Sequence, residues 1–168
     1  PGIFAARAAH LQVNYLGYPG TLGQPWWDYI VADAVVVPAH QRDACSEKVA
    51  QLPHSYQPND VKRFFPATLP SRTDCGLPAA AVVFACFNAH YKLGPGVFTC
   101  WMEILRRVPG AVLWLLAGHP LAQAQLGAQA HAHGVDPVRL VFAPLLPQAR
   151  HLARLPLADV MLDPWPST

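Results

Sequence analysis

The chain has 168 residues, 52% of them hydrophobic and only 13% charged, and its twelve basic and ten acidic residues leave a formal charge of +2. That length is enough to bury a real core, while the scattered charges form no basic stripe of the kind that marks a nucleic-acid surface, so no nucleic-acid partner is expected. The longest apolar runs, such as Ala79–Phe87 and Ala111–Ala117, fall well short of the roughly 20 residues that span a bilayer, so no membrane partner is expected either.

The opening PGIFAARAAHLQ has no initiator Met, and no charged start with a long apolar stretch, and reads as mid-protein sequence. An apolar run at Leu11–Leu16 predicts a strand, closed by the turn-rich Gly17–Gly23. Tyr29–Val37 predicts a second strand, Pro38–Lys48 a short exposed helix and Val49–Tyr56 a return strand. Three prolines and a Ser-Arg-Thr-Asp cluster with no sustained period make 59–79 a linker between two lobes.

The second half alternates regularly. Ala80–Phe87 predicts a buried strand; Pro95–Val108 predicts a helix, because Val97, Phe98, Trp101, Ile104, Leu105 and Val108 recur at helical spacing. Ala111–Ala117 predicts a strand, Leu121–His133 an Ala-Gln-rich helix, Val138–Ala143 a strand, Pro147–Arg154 a short helix and Val160–Leu162 a last strand. Strand and helix in alternation imply an α/β fold with parallel sheets and right-handed crossovers. Cys45, Cys75, Cys86 and Cys100 form no C-x-x-C pair and sit mostly in apolar stretches, which suggests buried free thiols in a reducing cytoplasm.

Ligands of open α/β sheets bind beyond the carboxyl ends of the strands, where helix N-termini favour anions. Two segments occupy such positions: Asn88–Lys92 after the strand ending at Phe87, and Pro144–His151 after the strand ending at Ala143. Lys92 is either a diphosphate partner or a solvated charge. His151 and Arg154, three apart on a helix, either share one crevice or face water. Asp159 and Asp163 mark a site or cap the ends of their strand, and Trp26-Trp27 is lobe packing before it is a sugar platform. His131 and His133, two apart on a helix, point apart and make a poor metal pair. No P-loop, G-x-G-x-x-G, G-x-S-x-G or D-x-D motif is present, so phosphate charge falls to lysine, arginine or helix N-termini and no metal is expected.

Several ordered segments carry a closer resemblance. Gln12–Gly23 (QVNYLGYPGTLG), Asp28–Asp33 (DYIVAD), Ser46-Glu47-Lys48 and Pro53-His54 are followed by Phe87-Asn88-x-x-Tyr91-Lys92 and Ile104-Leu105-x-Arg107-Val108-Pro109. Val112–Leu116 (VLWLL) and Leu157-Ala158-Asp159-Val160-x-Leu162-Asp163 complete the series. Together these resemble the protein O-linked N-acetylglucosamine transferase family over nearly the whole chain. The resemblance implies a GT-B fold of two Rossmann-like lobes, with 1–58 the end of the N-lobe and 80–168 the start of the nucleotide-binding C-lobe. It implies a cytoplasmic enzyme, usually preceded by tetratricopeptide repeats, that uses UDP-GlcNAc and no cofactor. Such an enzyme transfers the sugar with inversion, and without a metal, to Ser or Thr hydroxyls of a protein or peptide acceptor.

Carried over position by position, the resemblance makes Lys92 the residue on the donor diphosphate and puts Leu16 and Gly17 near the sugar. Leu146 and Pro147 become the uracil loop, with His151 stacking on uracil and Arg154 beside it. Ala89 stands where the family has a donor-contacting glutamine, and Gln148 where it has a lysine near the ribose. The resemblance assigns the family's Gly-His-Thr-Thr phosphate loop and its N-lobe histidines to positions outside 1–168, so the chain alone is expected to be inactive. Two other readings stay open: a protein N-glucosyltransferase using UDP-glucose, and a UDP-binding module without catalysis.

Overall fold

The computed structural model describes residues 2–64, 66 and 68–165; linker positions Phe65 and Ala67 and the closing Pro166–Thr168 lie outside the described residues. The chain divides into two compact units, 1–63 and 64–168.

In the first unit a short helix α1 (Gly2–Ala5) precedes three parallel strands in the order β1-β2-β3: β1 (Val13–Asn14), β2 (Tyr29–Ala32) and β3 (Lys48–Gln51). All three strands are shorter than the sequence predicts. Only Val13 and Asn14 find partners, opposite Tyr29 and Ile30. β2 stops at Ala32 because the Asp33 carboxylate takes the chain over. Its Oδ1 accepts from the Val35 and Val36 N–H at 2.9 Å each, folding an Asx turn, and its Oδ2 accepts from the Tyr56 N–H at 2.9 Å. The helix expected at Pro38–Lys48 is a 3-10 helix over Ala39–Ala44 that buries none of its residues, and Lys48 already belongs to β3. With no apolar face to dock, the segment has little to hold a longer helix in place.

In the second unit four parallel strands run in the order β6-β5-β4-β7: β4 (Val83–Cys86), β5 (Val112–Leu116), β6 (Leu140–Ala143) and β7 (Val160–Met161). Helices α2 (Pro95–Arg107), α3 (Pro120–Ala132) and α4 (Gln148–Arg154) connect them. α2 buries Phe98, Trp101, Met102 and Leu105 against Leu113 and Leu115, so Met102 joins the predicted stripe; Val97, Ile104 and Val108 pack at its margin. Thr99 and Cys100 fall on the outer face. All four cysteines are free as expected, but only Cys86 is buried and Cys100 is exposed, because position 100 points away from the core that 98, 101 and 102 enter.

On the other sheet face Val83, Ala85, Val112 and Trp114 pack with Leu77 and Ala143. The second half of the expected linker is thus built into this unit: Leu77 is buried, and Arg72 donates to Asp159 Oδ2 at 2.8 Å and to the Leu157 carbonyl at 3.2 Å. Arg139, unremarked in the sequence, donates to the Leu105 and Val108 carbonyls at 2.8 Å and to the Ala111 carbonyl at 2.7 Å. It satisfies acceptors that the end of α2 leaves open.

Candidate functional site

β4 is the point where the strand order of the second sheet reverses: β5 leaves on one side of it and β7 returns on the other. Parallel sheets open a crevice at the carboxyl ends of the two strands flanking such a switch. A hollow of about 350 Å³ lies there, lined by Phe87, Asn88, Met161, Leu162 and Asp163. Asp163 also lines an adjoining hollow of about 410 Å³ with Gly94, Pro95, Gly96 and Val97 at the start of α2. The two aspartates flanking β7 therefore part company. Asp159 clasps the sheet, accepting from the Val83 N–H at 2.7 Å and from Arg72, whereas Asp163 faces the crevice.

Lys92 ends a single 3-10 turn, His90–Lys92, that directly follows the loop after β4. The turn is anchored from below: His90 Nε2 lies 2.6 Å from the Leu116 carbonyl, and His90 packs so closely on Gly118 that a Cβ there would meet its Nδ1 at 2.5 Å. Lys92 is half-buried. Leu146 and Pro147 lie in the loop after β6, with Pro147 exposed and capping α4.

His151 and Arg154 do share one place. The two side chains meet directly, Arg154 Nε and Nη2 lying 3.1 and 2.9 Å from His151 Nδ1, and the His151 ring stands edge-on to Phe87 with centroids 5.0 Å apart. Arg154 is only 2% exposed, and its guanidinium lies over the Phe87 and Trp114 rings at 4.8 and 5.7 Å. Burial, and then the Arg154 charge, push the His151 pKa below its ordinary value. A further cavity of about 510 Å³ lies beside Arg154, bordered by Leu146, Trp114, Cys75 and the linker residues Pro66, Thr68, Leu69 and Pro70; only the placement of the linker makes it visible.

Leu16 and Gly17 belong to the first unit, in the loop after β1. Leu16 has φ of +68°, a left-handed conformation that is costly for a branched side chain and concentrates at functional backbone. The surrounding loop is fastened by Glu47, a buried carboxylate that accepts from Thr21 Oγ1 at 2.6 Å, the Leu22 N–H at 2.8 Å and Ser46 Oγ at 3.0 Å. Burial alone would raise the Glu47 pKa; these donors outweigh it and hold the carboxyl below its ordinary value. Trp27 stacks on Phe4 at 4.4 Å, and with Trp26 borders a hollow of this same unit. Among the described residues, no three His, Cys, Asp or Glu side chains gather as a metal site, and no helix is long and apolar enough to cross a membrane.

Parallel strands in a switch-point order with crossover helices define a Rossmann-like α/β protein of the GT-B glycosyltransferase type. The structure superposes on a mutant of the Thermobaculum terrenum O-GlcNAc transferase with a TM-score of 0.73 and 29% identity, covering 97% of this chain and 31% of that one. The chain belongs to glycosyl transferase family 41, whose model matches residues 1–70 and 66–166. Among its relatives, the probable UDP-N-acetylglucosamine–peptide N-acetylglucosaminyltransferase SEC of Arabidopsis thaliana is 40% identical over 166 residues, 96% of this chain. The UDP-N-acetylglucosamine–peptide N-acetylglucosaminyltransferase of Caenorhabditis elegans is 24% identical over 272 residues, again 96% of this chain. The tomato (Solanum lycopersicum) protein SPINDLY, also a probable UDP-N-acetylglucosamine–peptide N-acetylglucosaminyltransferase, is 30% identical over 173 residues. The chain spans 17% of the length of SEC, 24% of the nematode protein and 18% of the tomato protein.

Proposed function

We propose that this chain is the donor-binding part of an enzyme that moves N-acetylglucosamine from UDP-GlcNAc to Ser and Thr hydroxyls of proteins, with inversion and without a metal ion. The observation that carries the reading is the gathering of Lys92, the switch-point crevice and the His151 ring at the carboxyl ends of β4, β7 and β6 of one sheet. The relatives' names specify UDP-N-acetylglucosamine as donor and a peptide as acceptor. In this reading the uracil stacks on His151 against the Leu146-Pro147 loop. The diphosphate lies toward Lys92 and the start of α2, whose N–H groups favour negative charge, and Asp163 accepts from a hydroxyl of the donor. The four free thiols suit a reducing cytoplasm.

The acceptor oxygen bonds to the anomeric carbon on the face opposite the diphosphate, the carbon–oxygen bond to UDP breaks with its electron pair, and the hydroxyl proton passes to base or solvent. Charge grows on the departing diphosphate, so a lysine already in position contributes more to the transition state than to the bound ground state. No metal is needed where lysine and helix N–H groups meet that charge.

The deciding experiment offers the intact protein UDP-GlcNAc or UDP-glucose together with acceptor proteins, with and without a chelator, and reads the product by mass spectrometry. N-acetylhexosamine on Ser or Thr, insensitive to chelator, supports the proposal. Hexose on Asn would replace it with N-glucosylation. UDP binding with no transfer would make the chain a non-catalytic module, the reading that Ala89 and Gln148 favour by departing from the family's donor-contacting residues.

A further inference from the structure

Helix α3 buries little of itself: only Ala130 is enclosed, where the equally long α2 encloses Phe98, Trp101, Met102 and Leu105. Between the side of α3 and the start of α2 lies a hollow of about 360 Å³. Ala122, Leu126 and Gln129 border it at helical spacing. Its floor is apolar, from the buried Phe98 and the half-buried Leu93 and Leu126, and its rim carries His133 and the exposed amides of Gln125 and Gln129, one turn apart. It shares no residue with the switch-point crevice lined by Asn88 and Asp163.

Two features define what fits. Among the described residues no Asp, Glu, Lys or Arg borders the hollow, so an ion entering it would lose water and gain no counter-charge. The ligand is therefore uncharged. Each glutamine amide offers a donor and an acceptor, which suits a group carrying the same pair. The volume, at the lower end of small-molecule sites, suits a single ring. His90, Leu93 and Pro95 also border the hollow, and they bracket Lys92 in the chain. His90 carries the bond to the Leu116 carbonyl that anchors the Lys92 turn.

We propose that this groove binds an uncharged planar ring with an amide-like edge, and that its occupancy sets the position of the Lys92 turn. The ring lies on Phe98 and Leu126, its edge exchanges hydrogen bonds with Gln125 and Gln129, and its inner side presses on His90 and Leu93. A ligand that fits one position of those two residues better than another shifts the turn by that difference in affinity.

The test adds nicotinamide to the intact protein carrying ¹³C-labelled lysine, with nicotinate, the same ring bearing a carboxylate, as the control. Ligand-observed NMR should show nicotinamide bound with a Kd of about 1–10 mM, as expected for so small a molecule, whether or not UDP is present. Nicotinate should not bind. The Lys92 signal, assigned by its loss in Lys92→Arg, should move as nicotinamide binds. Ala122→Leu fills the groove with a good helix former and should weaken binding at least about tenfold. If that variant does not fold, Gln125→Ala combined with Gln129→Ala, both on the exposed rim, should weaken binding about fivefold or more. The proposal is overturned by absent nicotinamide binding, by equal binding of nicotinate, by displacement with UDP or by a Lys92 signal indifferent to the bound probe. Binding that survives the groove variants overturns it too. Neither readout requires sugar transfer, so a protein without the proposed activity would still decide the matter.

Discussion

Replacing Gly118 by alanine tests whether the Lys92 turn depends on its foundation. The new Cβ would sit 2.5 Å from His90 Nδ1 and 2.6 Å from its Cε1, whereas ordinary contact begins at 3.4 Å. The ring must therefore retreat by about 0.9 Å to reach ordinary van der Waals separation. Its Nε2 now lies 2.6 Å from the Leu116 carbonyl, and a retreat of that size along the bond stretches it to about 3.5 Å, the edge of what counts as a hydrogen bond. Losing that bond and crowding the packing should cost about 1–3 kcal/mol, or at least about 4 °C in the melting temperature of a domain this size. Because His90 and Lys92 belong to one three-residue turn, the ammonium moves too, and a shift near 1 Å in a positioning group can reduce turnover about 100-fold. Gly127→Ala is the control: its Cβ meets only Pro137 Cβ at 3.7 Å, and in mid-helix the change should stabilise by up to about 1 kcal/mol. Melting curves and kcat of both variants in the intact protein decide the matter. If Gly118→Ala melts and turns over like the unaltered chain, the turn is not built on His90 and the argument fails.

Lys92→Ala should lower kcat about 100- to 1,000-fold with an unchanged melting curve, and Lys92→Arg should recover part of it, since the charge returns in a different place; near-normal turnover of the alanine variant would reduce Lys92 to a solvated charge. Arg139→Met leaves the Leu105, Val108 and Ala111 carbonyls short of a donor and should destabilise by about 1–3 kcal/mol, read as a lower urea midpoint. Glu47, Asp33 and Asp28 all have folded-state pKa values below their ordinary ones. Their contribution is complete above the ordinary carboxylate pKa and is lost as pH falls through the lower folded values. Urea midpoints should accordingly drop on the acid side of that range, and Glu47→Gln should reduce both the midpoint at neutral pH and the steepness of the drop; an identical pH profile for the variant would contradict this.

The helix α2 was legible because its apolar residues repeat with helical period, and β4 and β5 because each is a short unbroken apolar run; both signals are local. The order of the motifs likewise pointed to the family and to the GT-B sheets. What the sequence concealed depends on partners far along the chain. Arg154 is an ordinary helix-surface arginine until Phe87, Trp114 and the Pro144 carbonyl are brought around it. Arg72 looks like linker until it meets Asp159, which lies 87 positions away, and the strand expected to run to Val37 stops early because one carboxylate at Asp33 captures three amides. Gly118 carries no signal of its own, since its requirement comes from a histidine 28 positions earlier whose ring presses on it.

The crevice at the switch point has a kinetic consequence. Its walls come from Phe87 and Asn88 on one side and Met161, Leu162 and Asp163 on the other, so it does not exist until β7 has docked beside β4. That docking is held by few bonds: the Asp159 clasp, the Leu162 N–H to the Ala85 carbonyl at 2.7 Å and a strand of two residues. Closing a loop of some 70 residues for so short a pairing is entropically slow. β7 is therefore the element in this sheet best suited to open and close on its own, and a ligand that bridges its end to the end of β4 would draw that local equilibrium toward the closed form. In a growing polypeptide, a crevice able to take a ligand there would arise only once β7 had emerged and docked beside β4.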